Sequence, residues 1–213
     1  MSDLPDISEL DAIVLAGGES RRMGSPKATL PFGGKTLVAV AVEALRPIFR
    51  QVLVVTRDAA SLSGLPDYVD VKVLEDGRPL RGPLVGVARG LAHSNAPWCF
   101  VAACDMPYLQ AEVIREMAAH LVDCDAVVPE YKGRLQTLHA FYSSGCLPIA
   151  EGLLGRGITS MKALLSGCRV IELSQDLFEH VPGGLRSFRD LDTSDEYGAA
   201  LISADPPPPS QYG

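Results

Sequence analysis

Two glycines directly after an apolar run, a lysine further along and an aspartate closing a second apolar run are the residues whose types and spacing could do chemistry. The stretch from Leu15 to Lys27 reads LAGGESRRMGSPK. Gly17 and Gly18 allow the backbone to come close to a ligand and to turn amide N–H groups toward it. Arg21, Arg22, Lys27 and Lys35 face one acid, Glu19, in this part of a chain whose net charge is −7. A local cationic patch on an acidic protein favours a specific polyanion such as a nucleotide's phosphates. The same residues would also serve as a solvated basic loop. G-x-G-x-x-G is absent, which argues against a nicotinamide or flavin site. Gly34-Lys35-Thr36 imitates the end of a P-loop, but Thr29 stands where that motif needs glycine. Phe32-Gly33-Gly34-Lys35 therefore reads as a tight turn after a short strand.

The carboxylates come next. Asp105 follows the run CFVAAC (99–104) and precedes Met106-Pro107. A carboxylate at the carboxyl end of a buried strand suits a hard cation such as Mg²⁺, which takes one or two carboxylates plus substrate phosphates. It would equally suit a helix N-cap or a turn. Asp76, before Gly77, is a candidate of the same kind or a D-G turn. Asp190 and Asp192 are further candidates, or the lead-in to a last helix. Five cysteines (Cys99, Cys104, Cys124, Cys146, Cys168) make an odd set without C-x-x-C spacing, and the four histidines lack H-E-x-x-H. Reduced thiols in a cytoplasmic protein are expected, with neither a disulfide framework nor a zinc site.

These residues need a scaffold. Asp11–Ala16, Val52–Val55, Val69–Leu74, Cys99–Cys104 and Ala126–Val128 are short apolar runs of the kind buried on both faces of a parallel sheet. Leu135–Tyr142 reads as an added antiparallel strand. Helix spacing marks Thr36–Leu45, the segment after Gly82-Pro83, the segment around Ile114–Leu121, and Gly145–Gly167 with breaks at Pro148 and Gly155. Thr193-Ser194-Asp195-Glu196 has the form of a capping box. The alternation predicts an α/β class: one Rossmann-like, three-layer domain with a mostly parallel sheet. We expect an N-terminal extension over 1–10, the domain over 11–204 and a Pro-rich tail over 205–213.

With 213 residues, 47% of them hydrophobic and 21% charged, the chain can bury a core, which excludes disorder over most of its length. The acidic balance argues against nucleic acid or an anionic membrane as partner. No run reaches the length of a membrane span, and Met1–Leu10 has no export-signal pattern, so no membrane is expected.

The Leu15–Lys27 motif closely resembles the signature of the molybdenum cofactor guanylyltransferases, which have a nucleotide-diphospho-sugar transferase type of fold. Arg81-Gly-Pro-Leu-Val-Gly86, Cys104-Asp105-Met-Pro107 and Phe188-x-Asp-Leu-Asp-Thr193 resemble later landmarks in the expected order, so the likeness spans roughly residues 11 to 202. It implies transfer of GMP from GTP to the terminal phosphate of molybdopterin, with loss of pyrophosphate. It also implies a GTP site at Leu15, Ala16, Gly17, Gly18, Lys27, Asp76 and Asp105, with Arg22, Lys27 and Asp105 catalytic. Mg²⁺ would lie on Asp105 and Asp192. Partners would be GTP, the molybdopterin or molybdenum cofactor, and proteins that deliver the cofactor or chaperone molybdoenzymes.

Three departures stand out. Pro26 replaces an Asp common before the Lys, Asp190 and Asp192 stand where Asn is usual, and Val55-Thr56-Arg57 replaces an Asn-like contact. His139 lies in a substrate-side segment of the family and reads here mainly as a packed residue. Alternatives on the same scaffold are a cytidylyltransferase on the same pterin, a nucleotidyltransferase for another phosphorylated small molecule, and a nucleotide-binding regulator without catalysis.

Overall fold

The computed structural model describes residues 4–17, 26–62 and 64–202. Gly18, Arg21, Arg22 and the tail over 205–213 lie outside the described residues, and so does the domain boundary expected at 204. Among the described residues there are ten strands: β1 Asp11–Leu15, β2 Pro31–Phe32, β3 Lys35–Thr36, β4 Gln51–Thr56, β5 Val71–Glu75, β6 Trp98–Ala103, β7 Ala126–Tyr131, β8 Arg134–Leu135, β9 His139–Ser143 and β10 Val170–Leu173. Six α-helices accompany them: α1 Leu37–Leu45, α2 Pro83–His93, α3 Ala111–Ala118, α4 Cys146–Leu154, α5 Met161–Leu165 and α6 Ser194–Ile202.

The main sheet runs β10-β7-β9-β6-β1-β4-β5, with β8 paired to β7. β1 is parallel to both β4 and β6, β4 to β5, and β10 to β7, while β9 is antiparallel to β6 and β7. Successive side chains of a strand point to opposite faces, so each face needs its own cover. Ala12, Val14 and Val54 pack on one face with Val38, Val42 and Leu45 of α1 and Ile114 and Met117 of α3. Ile13, Leu53 and Val55 pack on the other with Leu84 and Val87 of α2, Leu153 of α4 and Leu164 of α5. The three-layer α/β arrangement expected from the apolar runs is thus what forms.

Local signals account for most boundaries. Thr36 caps α1, its hydroxyl accepting from the Ala39 N–H at 3.4 Å. Pro83 occupies the first turn of α2. Thr193 and Glu196 close the capping box at the start of α6. The α6 helix therefore begins after Asp190 and Asp192, which leaves both carboxylates in the preceding segment. Phe32-Gly33-Gly34-Lys35 is the turn of the β2–β3 hairpin.

Two expectations fail, and one strand has no expectation at all. The stretch 135–142 is not a single strand, since β8 ends at Leu135 and β9 begins only at His139. Pro148 does not break the helix: it is the third residue of α4, where a backbone N–H has no intrahelical partner to lose. The strand β10 has no counterpart in the apolar runs, because VIEL is short and carries Glu172. It forms by continuing the ladder offered by β7. All five cysteines stand as free thiols. Among the described residues no helix is long and apolar enough to cross a membrane.

Candidate active site

Strand register positions the site. Leu15 of β1 pairs with Val55 of β4 and with Ala103 of β6, and Val55 pairs with Leu74 of β5. These four residues form one row across the sheet. Two residues beyond the row, at the carboxyl ends of four parallel strands, stand Asp105, Gly17, Arg57 and Asp76, in that order. The order of strands also reverses here. The chain runs outward from β1 through β4 to β5, then returns to place β6 on the other side of β1. Open α/β sheets bind ligands outside the carboxyl ends of strands at such a switch point.

A cleft of about 420 Å³ lies over this row, lined among others by Leu15, Gly17, Lys27, Arg57, Asp76 and Asp105. From β6 to β5 is three strand spacings, roughly 14 Å, which gives the cleft two distinct ends.

At the β6 end, Lys27 leads a 3₁₀ turn, Lys27–Thr29, entered through Pro26 at φ −57°. A proline fixes that φ without cost, which gives Pro26 a conformational role at a position where the resemblance leads one to expect a carboxylate. The Lys27 Nζ donates to Asp105 Oδ2 at 2.7 Å and to Asp192 Oδ1 at 2.6 Å. The Lys27 and Asp105 side chains are each 14% exposed, and Asp192 is 64% exposed. Burial alone would lower the pKa of the ammonium. The hydrogen bonds and charges of Asp105 and Asp192 outweigh it, so the pKa rises and Lys27 remains cationic. Asp190 is pushed upward, first by burial and then by the charges of Asp192 and Asp105. The backbone ties this segment to the sheet, the Leu191 N–H donating to Asp105 O at 3.0 Å.

At the β5 end, the Arg57 guanidinium donates to Leu80 O at 3.0 Å and to Arg78 O at 3.1 Å, and lies 3.7 Å from Asp76 Oδ2. Asp76 also accepts from the Arg78 N–H at 3.4 Å. Gly82, Pro83 and Gly86 supply the wall above.

The residues singled out from sequence are thus partly brought together. Leu15, Gly17, Lys27, Asp76 and Asp105 share the cleft, and Asp192 reaches Lys27 from its rim. Ala16 turns its side chain into the core, and its N–H donates to Val55 O at 2.8 Å. His139 is fully buried, with Phe100 and Phe188 rings at 5.1 and 4.7 Å and Ser187 Oγ 2.9 Å from Nε2. It is a packed residue, while its neighbour Leu138, which precedes β9, lines the cleft. Arg57 and Arg81 line the cleft without having been singled out as site residues. Arg57 stands two residues past the end of the Val52–Val55 run, as Asp76 does past the end of Val69–Leu74, and that shared offset is the signal that could have found it.

Among the described residues no three His, Cys, Asp or Glu side chains converge as a metal shell. Two carboxylates from different elements do converge on one cation, the Lys27 ammonium. That donor set, two carboxylates open toward a cleft, fits a hard divalent ion that takes its other ligands from phosphate and water.

A family model described as the MobA-like NTP transferase domain matches residues 12–173. The chain belongs to the MobA-like NTP transferase family. A relative from Geobacillus sp. named "probable molybdenum cofactor guanylyltransferase" is 32% identical over 195 residues, covering 90% of this chain and 97% of that protein. One of the same name from Mycobacterium bovis is 39% identical over 175 residues, covering 79% and 85%. Among solved structures, molybdopterin-guanine dinucleotide biosynthesis protein A from Archaeoglobus fulgidus superposes with a TM-score of 0.79 at 26% identity, covering 91% of this chain and 98% of that one. The 2-C-methyl-D-erythritol 4-phosphate cytidylyltransferase of Thermus thermophilus, at 19% identity and a TM-score of 0.69, covers 92% of this chain and 98% of its own and shares the fold. Membership in this family fits the sheet order and a cleft at the switch point, and it makes the chain a nucleotidyltransferase.

Proposed function

We propose that the protein transfers GMP from GTP to the terminal phosphate of molybdopterin in the molybdenum cofactor, releasing pyrophosphate and forming the guanine dinucleotide. The observation that carries this reading is the in-register row Asp105, Gly17, Arg57, Asp76, with Lys27 held over Asp105. Relatives named for the same activity supply the identity of the substrates.

The triphosphate lies at the β6 end, against Gly17 and Lys27, and the nucleoside extends toward Asp76. An oxygen of the acceptor phosphate attacks the α-phosphorus. The bond from that phosphorus to the bridging oxygen breaks, and pyrophosphate leaves with the electron pair. Such displacements need positioning and charge neutralisation, with little covalent work by side chains. Lys27 is permanently charged and steadies negative charge on the phosphates. Arg22, by the resemblance, serves the same end. Asp105 and Asp192 would hold Mg²⁺, which supplies further neutralisation of the phosphate oxygens when bound. Lys27 must then exchange its carboxylate partners for phosphate, an exchange between anions that leaves it paired throughout. Reaction in the cytoplasm, with a protein donor of the pterin, completes the reading.

The test pairs binding with turnover. Thermal shifts with GTP, CTP, ATP and UTP in the presence of magnesium should single out GTP, since a native-state ligand at a hundredfold excess over Kd adds about 2.7 kcal/mol. Pyrophosphate release should require molybdopterin. Greater protection by CTP would point to the cytidylyl reaction, and protection without release to a binding protein. Asp105→Asn should shift the magnesium titration to higher concentration. An unchanged titration removes Asp105 from the metal site.

A further inference from the structure

The loop joining β5 to α2 lines the β5 end of the cleft. It begins at Asp76-Gly77 and ends at Gly82-Pro83, with Gly77 at φ 61° and Gly82 at φ 140°. Both conformations disfavour a side chain. A Cβ on Gly82 would also lie 2.6 Å from Thr159 Oγ1. Between these glycines the chain has no secondary structure of its own, so its shape depends on what grips it.

The grips are specific. Arg57 reaches across from the end of β4 and takes the carbonyls of Arg78 and Leu80 with two different nitrogens, while its Nη1 faces Asp76. The Arg78 side chain is held in turn by Glu151 of α4, at 2.7 and 2.9 Å. Arg89 of α2 donates to Glu75 O at 2.9 Å. The loop's backbone between the two glycines is therefore clasped by one guanidinium. A planar fork with fixed donors suits that task, and a lysine's point charge does not.

We propose that Arg57 is the positioning residue that holds the 76–82 loop in its nucleotide-receiving shape, and so sets the affinity for GTP without acting on the reacting phosphorus. The inference rests on the guanylyltransferase reading above, because it takes the nucleoside to lie at this end of the cleft. Its physical content is preorganisation. A loop ordered before binding spares the ligand that cost, so loss of the clasp appears as weaker binding. Lys27 and Asp105, at the opposite end of the row, keep their geometry, so the chemical step is left largely alone. Arg57 also belongs to the stretch Val55-Thr56-Arg57, which stands where the resemblance leads one to expect an Asn-like contact. In this chain Arg57 acts on the loop's backbone.

The experiment compares wild type, Arg57→Ala and Arg57→Lys as full-length protein. Steady-state kinetics with GTP should show KM raised about ten- to hundredfold in Arg57→Ala, the range expected for lost hydrogen bonds to a charged donor, with kcat within about threefold. Arg57→Lys should recover only part of the loss. Hydrogen exchange without nucleotide should quicken at residues 77–82 in Arg57→Ala and stay as in wild type at β1 and β6. A wild-type KM in Arg57→Ala overturns the proposal, as does a fall in kcat as large as the rise in KM. Full recovery by Arg57→Lys also overturns it, and so does unchanged exchange in the loop. Failure of the wild-type protein itself to bind GTP in calorimetry would instead overturn the guanylyltransferase reading, so the two failures are distinguishable.

Discussion

Lys27 carries contradictory demands. Its side chain is largely withdrawn from water, which disfavours its charge, yet two carboxylates within 2.7 Å hold it charged. A group so placed is oriented before substrate arrives. Removing one fixed donor of this kind from a site of developing negative charge commonly costs on the order of 10²–10³ in rate. Lys27→Ala should therefore lower turnover by about that factor at saturating GTP and magnesium, with a cooperative melt retained because the side chain supports no packed core. Turnover equal to wild type under those conditions would remove Lys27 from the site. Asp105 was legible in the sequence because it closes a recognisable apolar run, and Lys27 because it ends the glycine- and arginine-containing motif that follows another. Arg57 was not. Val-Val-Thr-Arg reads as an ordinary strand exit, and its meaning appears only when register sets it beside Gly17 and Asp76.

At the scale of elements, the close approach of α2 to β1 positions the cleft. Gly86 and Gly90 face Leu15 and Ile13, so the helix lies almost against the strand that ends at Leu15, just before Gly17. A Cβ on Gly90 would come within 2.5 Å of Ile13 Cδ1 and within 2.8 Å of two more of its carbons. Alanine at a helical glycine gains about 1 kcal/mol in propensity. Overpacking a full core typically costs about 1–3 kcal/mol, which should win here. Gly90→Ala should therefore lower the urea midpoint by the equivalent of about 1 kcal/mol. Gly152→Ala, on α4 with nothing within 4 Å of its Cβ, should raise it. A higher midpoint for Gly90→Ala would mean that Ile13 can swing aside. Periodicity revealed the helices and the parallel strands, since burial on both sheet faces leaves continuous apolar runs. It missed β10, a short edge strand carrying Glu172, which forms through pairing with β7. It also set a break at Pro148 where the start of a helix tolerates proline.

At the scale of the whole molecule, the carboxyl-terminal segment must be fastened to the sheet for Asp192 to reach Lys27. His139 and Ser187 make much of that fastening. The Ser187 Oγ accepts from the Gln110 N–H at 3.0 Å and lies 2.9 Å from His139 Nε2, which joins β9, the approach to α3 and the carboxyl-terminal segment at one buried point. Burial lowers the His139 pKa from 6.5 to about 4, and its Nδ1 has no partner among the described residues. The folded protein thus holds this imidazole neutral, while the unfolded chain protonates it below about 6.5. Between those values the unfolded state binds more protons, so stability rises with pH across that window. The contribution is complete above about pH 6.5, falls away as pH drops toward about 4, and is level below. Its size is about 3 kcal/mol, since every tenfold change in proton affinity corresponds to about 1.4 kcal/mol. Urea unfolding of wild type from about pH 7 to about pH 4 should show this decline on top of the carboxylate titrations. His139→Gln, whose side chain can keep a bond to Ser187 but cannot titrate, should be less stable at about pH 7 and show a shallower decline. Parallel curves for the two proteins would mean that His139 takes up its proton without opening the core. The fastening of Asp192 would then be independent of pH.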